Sequence, residues 1–169
     1  MDERNGYIAL EGLDKVLKGF DKADKEVRKA AMQGLTKGGM NIIADAQVNL
    51  RENGSVVTGL LRQSGRVQKV DDTNLDVGFF DTTNQHSGYA LYVEYGRRAG
   101  KFPPLDELIQ WARKKFRLSE KDAKSVGFLV ARKIARDGSV PHPFFQPAVK
   151  KNERGILKAV EDAVRRKTK

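Results

Sequence analysis

The chain has 169 residues, no cysteine, and 32 Lys/Arg against 22 Asp/Glu, a net charge of +10. That length supports one domain with a core that needs no disulfide or metal, and the lack of cysteine excludes a thiol nucleophile or a cysteine metal site and fits a reducing compartment. "MDERNGYIAL" lacks the basic-then-apolar order of a secretory leader and no apolar run approaches the ~18 residues of a membrane span, so the chain is read as made in a cytoplasm, without a membrane partner.

In chain order, Tyr7–Leu10 reads as an edge strand, and Leu13, Val16, Leu17 and Phe20 fall at helical spacing within Gly12–Phe20. From Asp21 to Leu50 the residues Val27, Ala30, Ala31, Leu35, Ile42, Ile43, Ala46 and Leu50 form one face of a long helix. Gly34, Gly38 and Gly39 inside it mark a kink, a break or a close helix crossing; without a preceding strand or a following Lys-Ser/Thr they are no phosphate loop. "ENGS" at 52–55 is a turn, and Arg66–Val70 and Leu75–Phe80 form a β-hairpin through "DDTN". Residues 81–88 and 97–102 read as polar loops with no core role, of the kind that order on binding. "YALYVEYG", 89–96, reads as a central strand with Tyr89, Leu91, Val93 and Tyr95 on one face.

Pro103 and Pro104 open a helix carrying Leu105, Leu108, Ile109, Ala112 and Phe116. Ser119 and Asp122 form a capping box for the next helix, which Gly138 closes. "SVPHPFFQPAV", 139–149, holds three of the five prolines around Phe144 and Phe145 and is expected to run extended until Pro147 starts a last helix, 147–166. Adjacent side chains of an extended segment point to opposite faces, so Phe144 is expected inward and Phe145 outward, toward a neighbouring subunit. The fold class is α+β: a long N-terminal helix, a small antiparallel sheet with a β-hairpin, and helices packed on the sheet, in a single domain over 1–169.

No catalytic constellation stands out. His86 and His142 lack the i, i+4 partner of a zinc site, there is no G-x-S-x-G elbow, and no cofactor motif is present. For Glu94, the one carboxylate inside the predicted strand, a salt bridge to Arg62, Arg97 or Arg98 is favoured over a general-acid role. Charge is unevenly placed: residues 101–169 hold eighteen basic and eight acidic side chains, while the rest of the chain is balanced. Lys114, Lys115, Arg117, Arg132, Lys133, Arg165 and Arg166 could be a solvated surface, or could meet phosphate or an acidic protein.

Four short motifs in this order, "LEGLDKVLKGF", "TGLLRQS" at 58–64, "YALYVEYGRR" at 89–98 and "PHPFFQPA" at 141–148, resemble the tail-completion, or head–tail joining, proteins of tailed bacteriophages, over about residues 8–165. The stretch 104–137 is a helical insert similar to that of a longer subgroup. The resemblance implies a structural virion protein rather than an enzyme: a homo-oligomeric ring, six- or twelve-fold, in the neck. Connector or stopper proteins would lie on its head side, a tail terminator or tail tube on the other, and genomic DNA at its centre, after assembly in the host cytoplasm. It carries over architectural roles to Thr58, Gly59, Leu61 and Arg62, to Val93, Glu94 and Gly96, and to Pro143, Phe144 and Pro147. Interface roles are expected for Phe145, Tyr92, Glu94, Arg97, Arg98 and His142. The alternative is a sequence-nonspecific nucleic-acid-binding protein using the basic C-terminal third.

Overall fold

A computed structural model of the chain describes residues 8–9, 25–54, 59–71, 74–80 and 89–166. Strand β1 (Ile8–Ala9) is followed by helix α1 (Lys25–Glu52), a single turn α2 (Leu60–Gln63), strands β2 (Gly65–Lys69) and β3 (Leu75–Phe79), then helices α3 (Tyr89–Tyr95), α4 (Leu105–Phe116), α5 (Glu120–Asp137) and α6 (Phe145–Arg165). The expected helix at Gly12–Phe20, Thr58 and the loop 81–88 with His86 lie outside the described residues. The α+β class, the long helix and the antiparallel sheet are as the sequence predicts.

The sheet has the order β1-β3-β2, all antiparallel. β2 and β3 pair from Gly65↔Phe79 to Lys69↔Leu75, closed by Asn74, whose backbone and side-chain amides donate to the Asp71 carboxylate at 2.7 Å each. Alternation in β3 puts Leu75, Val77 and Phe79 on one buried face. That face meets α1, whose apolar stripe of Leu35, Ile42, Ala46 and Leu50 is fully buried.

The glycines of α1 resolve as close crossings, without a break in the helix. A Cβ at Gly34 would lie 2.8 Å from the carbonyl oxygen of Ala159, and one at Gly39 2.8 Å from Val77 Cγ2. Gly34 and Gly38 therefore let α6 lie against one side of α1, while Gly39 lets the sheet approach another. The antiparallel α1–α6 pair is further clasped where Asp45 accepts from Lys151 Nζ at 2.8 Å and from Asn152 Nδ2 at 2.6 Å.

Two elements depart from the sequence expectation. Residues 89–95 form a helix, not a central strand. A seven-residue apolar and aromatic run satisfies both periods. As a helix it buries Ala90 and Glu94, one turn apart, and leaves Tyr89, Tyr92 and Tyr95 exposed. The second departure is Phe145, which does not point outward: Phe144 and Phe145 are 0% and 2% exposed. The segment is extended only as far as Pro143. Phe144 is the N-cap and Phe145 the first helical residue, so the two rings diverge by the ~100° of a helical step rather than the 180° of a strand. Both reach Phe79 edge-on, at centroid distances of 5.0 and 6.0 Å. Pro147 then occupies the third helical position, where its missing N–H has no intrahelical acceptor to lose.

The α4–α5 hairpin packs chiefly on itself. Its seam is built from small residues, Ala112, Ala123, Gly127 and Ala131, and Gly127 touches the backbone of Ile109. Ser119 caps α5 as predicted, accepting from the Asp122 N–H at 3.2 Å, and Gly138 closes it.

Phe144→Ala and Phe145→Ala should each destabilise the isolated protein by ~3–5 kcal/mol, because both empty a buried aromatic site. Denaturant unfolding curves of the two variants check this, and an unchanged midpoint for Phe145→Ala would restore the outward assignment. The Asp45 clasp predicts a pH dependence. Hydrogen bonds from Lys151 and then Asn152 hold the Asp45 carboxyl below its ordinary 3.8, so the stability it contributes is present above that pH and lost as pH falls through the lower folded value. Compared with Asp45→Asn, the wild type should be more stable by at most ~1 kcal/mol at neutral pH, the difference vanishing in strong acid, as read from thermal melts across pH.

Candidate functional site

Three of the residues singled out in the sequence, Glu94, His142 and Phe145, meet at one junction, where the end of α3 meets the start of α6. Glu94 is 2% exposed and directs its carboxylate at the N-terminus of α6. Its Oε2 accepts from the N–H of Phe144 at 2.8 Å and of Phe145 at 2.9 Å, and Oε1 accepts from Gln146 at 3.0 Å. A helix start leaves four N–H groups without intrahelical acceptors. Here the fourth residue is Pro147, which has none, so one carboxylate satisfies the whole set. The negative charge also sits at the positive end of the helix dipole, the favourable placement for a buried anion.

Carbonyls of the same segment are held from the opposite side. Asn49 Nδ2 donates to the Phe144 carbonyl at 2.8 Å and Asn53 Nδ2 to that of Pro143 at 2.9 Å. The His142 N–H donates to the Val93 carbonyl at 2.7 Å. The proline segment is thus pinned by α1 through its carbonyls and by α3 through its amides.

Beside it, Arg97 and Ser139 exchange both backbone hydrogen bonds, at 3.2 and 2.8 Å, as an isolated antiparallel bridge. Gly96 (φ 73°) and Gly138 (φ 79°) flank the bridge, and a Cβ on either would collide with a carbonyl oxygen, of Ser139 and Arg97 respectively. Gly100 N–H donates to the Ala135 carbonyl at 2.8 Å. The 97–102 loop, expected to lack anchors in the free chain, is therefore tied to residues 135–139.

The expected salt bridge of Glu94 is not formed: among the described residues its carboxylate binds backbone N–H groups, and Arg62, Arg97 and Arg98 lie elsewhere. Arg62 offers its carbonyl to Gln47 Nε2, and the Arg97 guanidinium lies over the Tyr92 ring, 5.3 Å from its centroid, while donating to the Lys101 carbonyl at 2.7 Å. Tyr92, Arg98 and His142 are exposed, with Tyr89 and Tyr95, and the half-buried Arg97 lies over Tyr92. Tyr95 reaches the cap directly, its hydroxyl accepting from Gln146 Nε2 at 3.3 Å, and these side chains are the tyrosine-rich, basic rim of the joint. Glu94 and Phe145 lie beneath it and support it. The other basic candidates do not join this rim. Lys114, Lys115 and Arg117 lie at the far end of the α4–α5 hairpin, Arg132 and Lys133 on the exposed side of α5, and Arg165 and Arg166 at the end of α6. Sequence reasoning missed the roles of Asn49 and Asn53; two amides one helical turn apart at a helix end were the available signal.

Among the described residues no group of three or more His, Cys, Asp or Glu is placed to hold a metal ion, and no helix is long and apolar enough to cross a membrane. What the junction can do chemically is hold chain segments together and present a surface.

Residues 14–96, just under half of the chain, match the HK97-gp10-like family, described as "Bacteriophage HK97-gp10, putative tail-component". The resemblance to phage tail proteins read from the motifs is thereby borne out, and the family it points to is that of a tail component. No curated protein and no solved structure matches the chain significantly. The family match ends at Gly96, so Glu94 belongs to the matched part while the helix it caps lies beyond it.

Glu94→Gln should destabilise the protein by about 1–3 kcal/mol, since an amide NH2 replaces one acceptor and faces an N–H donor. Glu94→Ala, which strands all three donors, should cost more. Urea unfolding gives both values, and amide exchange at 144–146 should accelerate in step.

Proposed function

We propose that this protein is a structural component of a phage particle that forms a homo-oligomeric ring in the neck, completing the tail and joining it to the head around the DNA channel. The observation that carries this reading is the family match over residues 14–96, supported by the order of the four motifs along the chain. In this reading connector or stopper proteins meet the ring on the head side and a tail terminator or tail tube on the other. The rim of Tyr92, Arg97, Arg98 and His142 is the surface offered to neighbouring subunits, with Glu94 and Phe145 fixing its shape from below. Tyrosine and arginine suit such a contact because each presents a large, partly rigid group that combines apolar area with hydrogen bonding.

The experiment is to assemble particles without the protein and examine them by electron microscopy. Heads and tails should accumulate separately and join when wild-type protein is supplied. A Tyr92→Ala/Arg98→Glu variant should fold with an unchanged melting temperature yet fail to restore joining. Normal tailed particles in the absence of the protein would overturn the reading.

A further inference from the structure

The α4–α5 hairpin lies outside the family match, and its far end carries a concentration of charge that helix stability does not require. α4 ends in Arg113, Lys114 and Lys115, Arg117 occupies the turn in a left-handed conformation (φ 54°), and Lys121 follows in the first turn of α5; all five are exposed. Cations at the end of α4 complement its dipole, but Lys121 stands at the positive end of the α5 dipole, where a cation is unfavourable. The two acids nearby are already engaged. Glu120 pairs with Lys124 at 2.9 Å, and Asp122 accepts from the Ser119 hydroxyl at 2.6 Å in the cap. The hydrogen bond from Lys124, then its charge, and more weakly the charge of Arg113, hold the Glu120 carboxyl below its ordinary value. Among the described residues, none of the five cations has an acidic partner within ion-pair distance. α4 is ~18 Å long and α5 ~27 Å, at ~1.5 Å per residue, so this charge sits at the end of the hairpin away from the Arg97–Ser139 bridge.

We propose that the tip of the α4–α5 hairpin docks on the phosphate backbone of duplex DNA. Lysine is depleted from protein–protein interfaces, whereas phosphate contacts gain from counterion release and tolerate flexible side chains. Two helices side by side, each ~10–12 Å across, exceed a major groove about 12 Å wide, so the tip meets phosphates and reads no sequence. The inference rests on the neck reading for the identity of the polyanion, but its test needs no particle and can fail independently of head–tail joining.

The test measures binding of the full-length protein to a fluorescent mixed-sequence duplex by anisotropy across a salt series. Lys114→Gln/Lys115→Gln/Arg117→Gln should fold normally, bind on the order of tenfold more weakly at 0.1 M salt, and lower the slope of log Kobs against log salt by about 2–3, since each phosphate contact contributes ~0.9. Lys150→Gln/Arg154→Gln/Lys158→Gln on α6, which removes the same charge elsewhere, should leave most of the slope. Equal losses in both variants would mean net charge alone attracts DNA and would overturn the proposal. So would a wild type that binds polyglutamate or single strands but not the duplex, or that binds none of them.

Discussion

The hydrogen bonds between the Glu94 carboxylate and three successive backbone N–H groups are the constraint on which the rest of the arrangement depends. A buried carboxylate is costly to desolvate and is tolerated where donors and a favourable potential replace water. The start of α6 provides both, and Pro147 removes the one donor a single carboxylate would have left unsatisfied. This bond set fixes where α6 begins, and hence that Phe144 and Phe145 both enter the core against Phe79. It also explains why α3 is helical: a helix carries Glu94 inward beside Ala90 while keeping three tyrosines in solvent.

Close packing of α6 on α1 is the complementary condition. Gly34 and Gly38 remove the side chains that would hold the helices apart, at a cost of about 1 kcal/mol each in helix propensity. The return is burial of Ile156 and Val160 against α1. Because Gly39 faces the sheet, α1 is the common wall of both contacts. The matched part of the chain and α6, which lies beyond the match, therefore share one core.

Periodicity made the regular elements legible. The stripe of α1 and the alternation in β3 announced themselves because each buries one face, and the hairpin partners fell within a residue of their predicted limits. Caps at Ser119 and Gly138 were visible because capping chemistry is local. What failed was local pattern without tertiary context. "YALYVEY" fits strand and helix alike, and the partner that decides between them is an amide row fifty residues away. For the same reason the contact between Glu94 and the Pro-Phe segment went unread: both were singled out, yet neither alone names the other as its partner. Phe145 was misplaced because the prolines suggested an extended run through a point where the helix had already begun.

The Arg97–Ser139 bridge has a consequence for how such a chain can change over time. A hydrogen-bonded antiparallel pair brings its two Cα atoms to about 5.5 Å, so the forty-odd residues between them leave and re-enter the body at a single doorway. Their seam is their own, and the main core is complete on the other side of the doorway. Such a segment is a cassette: a change in its length leaves the packing of the joint beneath it untouched.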